Sequence, residues 1–335
     1  MKAQAVVFET KEAVTVRSVE VPEPGERDVV IEVDYSWISI GTESSFFRGE
    51  RIAGETPYKE GGPWPFPHVP GYQKVGRVIR TGAAVAHVQT GDRVFASISK
   101  VNGMYFDFGG HINPAVTDSS QVWKLPEDGP DPIAYAGAVL TQVGYNCGMR
   151  APISKGDIAV VIGDGLVGQW SAQTLAHRGA EVFLLGHRED RLKLAAAGGY
   201  ATPVNGHGID SARLLGQRAN RQLAVVVDTV GSLETFRKLQ PLMKHDSHLV
   251  SAGYLGESGL IDIQALRGQE ITLHTPSGWT AERMTATIAA IREGWLSTVP
   301  LITHRFPAAE AAAAWEVITS KPSPCLGVVL DWRAP

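Results

Sequence analysis

Cysteine is nearly absent from this sequence: Cys147 and Cys325 are the two in 335 residues. Two thiols cannot staple a chain of this length, so a disulfide scaffold is excluded and the reducing cytoplasm is the expected setting. A basic excess is missing too. The 31 Lys and Arg are outnumbered by 35 Asp and Glu, for a formal net charge of −4, which speaks against a nucleic-acid partner. No apolar run approaches the roughly 18 residues a membrane span needs, so no membrane partner is expected. The opening residues, 1–8, carry one positive charge and soon meet Glu9; they read as a strand rather than a signal peptide. Internal repeats are lacking, and the sole low-complexity tract is Ala311 to Ala314, an ordinary helix interior.

What is present suits a soluble two-domain protein: 44% hydrophobic and 20% charged residues, enough to bury a core in each domain. Residues 14–21, 29–33, 75–80 and 93–98 are short, β-branched runs. Turns at Pro22 to Gly25, Gly61 to Pro63 and Thr90 to Asp92 separate them, which predicts an antiparallel, barrel-like domain. Residues 46–70 are dense in Gly, Pro and aromatics and read as a long ordered loop beside a site. From Asp131 the texture changes. A helix is expected over 133–150, although Gly137 and Gly144 weaken the pattern. Apolar strands are expected at 158–162, 182–185, 224–227, 248–252 and 271–274, with helices at 169–178 and 233–244 between them. Such alternation implies right-handed crossovers and a doubly wound parallel sheet. Helices at 280–293 and 308–320 and a strand at 327–331 close the chain. The expected division is α/β: residues 1–125 with 276–335 form one domain, and 126–275 form the parallel-sheet domain.

The sharpest motif is Gly163-Asp164-Gly165-Leu166-Val167-Gly168, a G-x-G-x-x-G directly after an apolar strand and directly before a helical stretch. Gly163 permits a tight turn, Gly165 lets the backbone approach a pyrophosphate, and Gly168 lets helix and strand pack closely. The new helix, opening at Leu166 and Val167, points its amides at the phosphates. Asp164 is an oddity, since an anion beside a phosphate is unhelpful unless it points away. About 20 residues on, an NAD-binding chain usually places a carboxylate for the ribose hydroxyls. Here that position is Gly186, followed by His187 and Arg188. With no carboxylate at 186, and with Arg188 and Arg191 able to pair with a 2′-phosphate, the expected cofactor is NADP. Glu189 or Asp190 remains an alternative contact to the ribose. The turns after two later strands, with Thr229 and Gly253, belong at the carboxyl edge of the same sheet, where ligands bind.

In layout the chain resembles the medium-chain dehydrogenase/reductase superfamily over essentially its whole length. The resemblance is carried by Gly41-Thr42-Glu43, Pro70-Gly71-Tyr72-Gln73 with Gly76, Gly91-Asp92-Arg93-Val94, the glycine fingerprint and Val227-Asp228-Thr229-Val230-Gly231. Ser39-Ile40-Gly41-Thr42-Glu43, Val69-Pro70-Gly71-Tyr72, Phe108-Gly109-Gly110, and the terminal stretch from Leu301 to Trp332 look most like its bacteriochlorophyllide a dehydrogenase branch. That branch oxidises a hydroxyethyl side chain to an acetyl group. The reaction type is carried over, while Gly186-His187-Arg188 departs from a branch whose acidic residue suits NAD. The resemblance implies a GroES-like antiparallel β-barrel catalytic domain joined to a Rossmann doubly wound parallel sheet, commonly as a homodimer built through the strand near 271–274.

The resemblance also implies where zinc would sit, and the residues there read Ile40, Tyr72 and, near the third position, Ala138. Ile and Ala cannot ligate a metal, and catalytic zinc needs three protein ligands. No Cys lies in 93–118, where a structural zinc lobe would be. No metal is therefore expected; His68 and His111 read as structural, and both cysteines as buried. Without zinc, Thr42 matches the family hydroxyl that contacts the substrate oxygen. Tyr72 replaces a metal-ligand His and is the candidate proton donor. Ser39 and Glu43 are secondary candidates. Trp64, Phe66, Tyr72, Tyr105, Phe106 and Phe108 suggest a pocket for a bulky apolar small molecule. Three functions stay open: oxidation of a bulky secondary alcohol or reduction of its ketone, NADPH-dependent reduction of an enone or quinone C=C bond, and NADPH binding without catalysis.

Overall fold

A computed structural model describes residues 1–53, 56–57, 65–206, 211–218, 222–253, 260–320 and 325–334. The expected turn at Gly61 to Pro63, the expected pocket residue Trp64 and the stretch Tyr254 to Gly256 lie outside the described residues. The chain forms two compact units. One comprises Met1–Val139, Ile288–Glu293 and Thr298–Pro335; the other comprises Leu140–Thr287 and Gly294–Ser297. No described helix is long and apolar enough to cross a membrane.

The first unit is built on a long central strand, Asp28–Ile38. In its main sheet the neighbours run Val122–Lys124, Arg93–Ala96, Lys74–Thr81, Asp28–Ile38, Gly327–Asp331 and Ile302–Pro307, and Ala115–Asp118 also pairs with the central strand. Every pairing is antiparallel except that of Ile302–Pro307 with Gly327–Asp331. A second sheet joins Ile112–Asn113, Lys2–Thr10 and Ala13–Glu20. Val29, Ile31, Val33, Val78, Val94 and Ala96 point into one core shared with Ala5, Val7 and Ile112. This is the GroES-like arrangement. The expected loop over 46–70 is more structured than composition suggests: the helix Ile40–Phe47 runs into it, and Arg51–Ala53 pairs with Thr56–Pro57.

The second unit is a six-stranded parallel sheet in the order Thr202–Asn205, Glu181–Gly186, Ile158–Ile162, Leu223–Asp228, Met243–Ser251, Thr272–His274. In chain order that is 3-2-1-4-5-6, the Rossmann order. Both faces of the sheet are covered, which is why Ile158–Ile162 is apolar throughout. Ile158, Val160 and Ile162 enter one core while Ala159 and Val161 enter another, as the two-residue period of a strand requires.

Some boundaries moved. The expected helix over 133–150 is a short 3-10 turn, Pro132–Tyr135, followed by the helix Ala138–Arg150. The glycines that weakened the pattern are packing devices. A Cβ on Gly137 would strike the Trp37 ring at 2.9 Å, and one on Gly144 the Trp170 Cβ at 2.5 Å. The expected helix over 233–244 stops at Leu239, because Pro241 cannot continue it, and Met243 already begins the next strand. The strand Thr202–Asn205 was not legible from its pattern, being short and containing Pro203 at the sheet edge.

Candidate functional site

In the GroES-like unit the central strand ends at Ile38, and Ser39 opens the helix Ile40–Phe47. Glu43 lies one turn into that helix and reaches back, its Oε1 accepting the Ser39 backbone N–H at 2.7 Å. The Ser39 hydroxyl makes no capping hydrogen bond to the helix. The hydroxyl instead meets Tyr72, whose O–H donates to Ser39 Oγ at 2.5 Å. Thr42 sits half-buried in the first turn of the same helix. Three of the expected residues, Ser39, Glu43 and Tyr72, are thus joined by hydrogen bonds, and Thr42 lies on the same helix as Glu43.

The network runs deeper than expected. Glu43 Oε2 faces His111 Nε2 at 2.9 Å, and His111 Nδ1 faces Ser36 Oγ at 2.8 Å. Trp332 Nε1 donates to the same Ser36 oxygen at 2.8 Å. With Nε2–H donating to the carboxylate, Nδ1 is the acceptor and Ser36 its donor, so every polar atom is matched. Ser36, Glu43 and His111 are all buried. Two glycines allow the close packing around the imidazole. A Cβ on Gly71, at φ +89°, would strike the His111 ring at 2.7 Å, and one on Gly110 would strike the Gly71 carbonyl carbon at 2.2 Å. Gly71 and Gly110 are therefore required by packing.

Beyond Tyr72, Gln73 donates to the Trp37 carbonyl at 3.2 Å, and Lys74 is wholly buried, its ammonium donating to the Ser97 carbonyl. Burial pushes the Lys74 amine down to about 7. His68 is buried among aromatics: Phe66 stacks on it, and Phe8, Phe46 and Phe106 meet it edge-on. Burial pushes its imidazole down to about 4, against the opposing pull of the Pro65 carbonyl and Glu43. Phe106 also contacts Tyr105 and Phe108, both partly exposed. Of the expected aromatic lining, Phe66, Tyr105, Phe106 and Phe108 thus form one linked group with His68.

At the positions where the family resemblance implies zinc ligands stand Ile40, Tyr72 and Ala138, two of them hydrocarbon side chains with no donor atom. Cys147 lies fully buried in a helix, where burial holds its thiol up to about 12, and Cys325 is buried in the GroES-like core. Among the described residues, one trio of ligand-type side chains comes together elsewhere: His245, Asp246 and Glu270, all exposed.

In the Rossmann unit, the strand Ile158–Ile162 ends in Gly163 at φ +112°, and the helix Leu166–His177 starts after Gly165. Thr229 closes the neighbouring strand, its Oγ1 donating to the Ile162 carbonyl at 2.8 Å. A Cβ on Gly163 would hit that Oγ1 at 2.4 Å, and one on Gly168 would hit the Gly163 carbonyl oxygen at 1.9 Å. A Cβ on Gly165 would meet nothing within 4 Å. The first and third glycines are fixed by packing; the second faces open space at a helix N-terminus, the shape a pyrophosphate needs. Gly253 packs its backbone on Gly231, and its N–H, like that of Ala252, is held by the Asp228 carbonyl. These residues fit a dinucleotide.

Residue 186 carries no carboxylate of its own, but Asp164 brings one to the end of the second strand. Its Oδ2 accepts the backbone N–H groups of His187 and Arg188, each at 2.8 Å, and its Oδ1 meets Arg191 Nη1 at 3.3 Å. A Cβ on Gly186 would lie 2.3 Å from Asp164 Oδ2. The carboxylate has come from the glycine turn into the space a side chain at 186 would fill, satisfying two amides at the start of the helix Glu189–Ala197. Arg191 is thereby engaged, while Arg188 lies 3.5 Å from Asp190 with 36% of its side chain exposed. His187 is exposed. Beneath them Gln169 donates to the Asp164 and Arg191 carbonyls and accepts from Tyr200.

Residues 25–127 match the family model of the alcohol dehydrogenase GroES-like domain. The whole chain is similar to 2-desacetyl-2-hydroxyethyl bacteriochlorophyllide A dehydrogenase of Cereibacter sphaeroides, 29% identical, with 100% of this chain and 99% of that protein covered. Two solved structures share the fold across 99% of both chains. One is a short chain alcohol dehydrogenase from Escherichia coli CFT073 complexed with NADH, with a TM-score of 0.84 at 20% identity. The other is described as a zinc-binding dehydrogenase from Sinorhizobium meliloti 1021 bound to NADP, with a TM-score of 0.83 at 20% identity. The domain match over residues 25–127 and the full-length similarity to a dehydrogenase support the resemblance to the medium-chain dehydrogenase/reductase superfamily.

Proposed function

We propose that this protein is an oxidoreductase that moves hydride between a nicotinamide nucleotide and a bulky secondary alcohol or its ketone, without zinc. The observation that carries the reading is the Tyr72 to Ser39 hydroxyl pair, 2.5 Å apart, with Ser39 fixed through its backbone by Glu43. The nucleotide, when bound, supplies or accepts the hydride. The chain's own residues handle the oxygen and its proton. Tyr72 donates a hydrogen bond to the carbonyl oxygen and passes its proton as the alcohol forms. Ser39 then turns its O–H toward Tyr72, so the phenolate is stabilised while it lasts. Thr42 holds the same oxygen from its helix. The linked aromatics Phe66, Phe106 and Phe108 supply an apolar wall suited to a large hydrocarbon substrate. Zinc independence is supported by the donor chemistry, because Ile40 and Ala138 offer only carbon.

Two features bear on the finer identity of the nucleotide. Gly186 brings no carboxylate of its own, and Arg188 keeps a partly exposed guanidinium, which supports NADP(H). Against this, the Asp164 carboxylate stands where a side chain at 186 would begin, and its fixed negative charge opposes a 2′-phosphate and favours NAD(H).

The test is a panel of bulky aryl ketones, enones and quinones, each offered with NADPH and with NADH, on protein whose zinc content has been measured by elemental analysis. Ketone turnover on metal-free protein is the expected result. Turnover of enones alone would move the reading to C=C reduction, and stoichiometric zinc needed for activity would overturn the metal-free mechanism. Nucleotide binding with no turnover across the panel would leave a binding protein.

A further inference from the structure

We infer that Asp164, inside the glycine turn, is the residue that sets nucleotide choice in this chain, standing in for the carboxylate absent from residue 186. The inference rests on reading the Gly163 turn as a dinucleotide site and goes beyond it by assigning selectivity to one side chain.

Three observations carry it. First, the position is shared. Asp164 Oδ2 lies 2.3 Å from where a Cβ on Gly186 would be, so the two positions compete for one volume at the end of the strand Glu181–Gly186. Second, the donors that would otherwise greet an anion are already engaged. The His187 and Arg188 amides, at the start of the helix Glu189–Ala197, both donate to Asp164, and Arg191 Nη1 faces its other oxygen. Amides at a helix start and an arginine are the groups that hold a phosphate. Here a carboxylate has taken that role from inside the chain. Third, the carboxylate is fixed in place. Asp164 is buried, and Gln169 holds its backbone carbonyl. A 2′-phosphate arriving here meets a negative charge that cannot swing away, whereas ribose hydroxyls meet an acceptor. Arg188 is left to favour the phosphate, and its neighbour Asp190 already tempers it.

The experiment is direct binding, read by nucleotide fluorescence and calorimetry, so that it does not depend on finding the substrate. NADH, NADPH, ADP and 2′,5′-ADP are titrated into the wild-type protein, into D164N, and into a transposed variant carrying D164G with G186D. In the wild type the 2′-phosphate is expected to bring no gain in affinity. D164N is expected to shift the NADPH-to-NADH affinity ratio toward NADPH by about tenfold or more. The transposed variant, with its carboxylate returned to residue 186, is expected to keep the wild-type ratio. Equal weakening of both nucleotides in D164N would show that Asp164 only braces the helix start, and would overturn the inference. So would a wild-type protein that binds 2′,5′-ADP more than about tenfold tighter than ADP; this arm decides the matter even if neither variant folds. Failure of the wild type to bind any of the four ligands would overturn the dinucleotide site itself, a separate result.

Discussion

Glu43 and His111 meet at 2.9 Å with neither side chain reaching solvent. Their contact fixes the first helix of the GroES-like unit against the Gly109-Gly110 turn, and through the Ser39 amide it fixes the hydroxyl that Tyr72 engages. Removing one partner leaves a buried polar group without its match. His111→Ala is expected to lower the unfolding free energy by about 1.5–3 kcal/mol, measured by denaturant titration. A loss near zero would mean that the pair is not buried as described.

Tyr72→Phe removes one oxygen and leaves the ring. The expected result is a fall in kcat of roughly 10²–10³, with nucleotide affinity and thermal midpoint near the wild type. A loss confined to KM would make Tyr72 part of the pocket wall and nothing more. The comparison of kcat with KM therefore decides its role.

His68 makes stability depend on pH. Burial holds its folded-state imidazole at about 4, below the ordinary 6.5. Between those values the unfolded chain takes up a proton that the folded chain refuses. Stability is therefore fully present above pH 6.5 and is lost as pH falls toward 4. The loss amounts to roughly 3 kcal/mol from this group. His68→Phe, which keeps an aromatic ring beside Phe66 and Phe106, is expected to flatten that part of the profile. Denaturant melts of both proteins at pH 4.5 and 7 give the comparison, and an unchanged slope in the variant would rule His68 out.

The three glycines of the turn are expected to separate in their behaviour. Gly165→Ala adds a methyl facing open space, so the protein folds normally but loses nucleotide affinity by about tenfold or more. Gly168→Ala drives a methyl into the Gly163 carbonyl at 1.9 Å, so it loses stability as well. Thermal melts alongside nucleotide titration check both. If Gly165→Ala binds as tightly as the wild type, the phosphates do not rest there.

The parts of this fold visible in the sequence are those set by local chemistry. The run Ile158 to Ile162 had to be a strand covered on both faces, and Gly163 to Gly168 had to be a strand-to-helix turn, because short-range sterics fix both. Pro241 was equally local, yet the apolar periodicity around it hid the end of the helix at Leu239. Through-space partners were not legible. Nothing near Glu43 announces His111, 68 residues away, or Trp332 beyond it. Two signals were available in hindsight. Gly71 marked a place where a ring presses on backbone, and Gly110 one where two backbone segments close on each other. The anion inside the fingerprint, Asp164, paired with the missing anion at 186, pointed to an exchange between positions 22 residues apart.

That exchange makes the two positions mutually exclusive. The backbone leaves volume for a single carboxylate, so an acid introduced at residue 186 alone would collide with Asp164 and break the helix start before it could contact a ribose. Redesign of this chain's coenzyme preference therefore has to treat 164 and 186 as one locus, changed in concert.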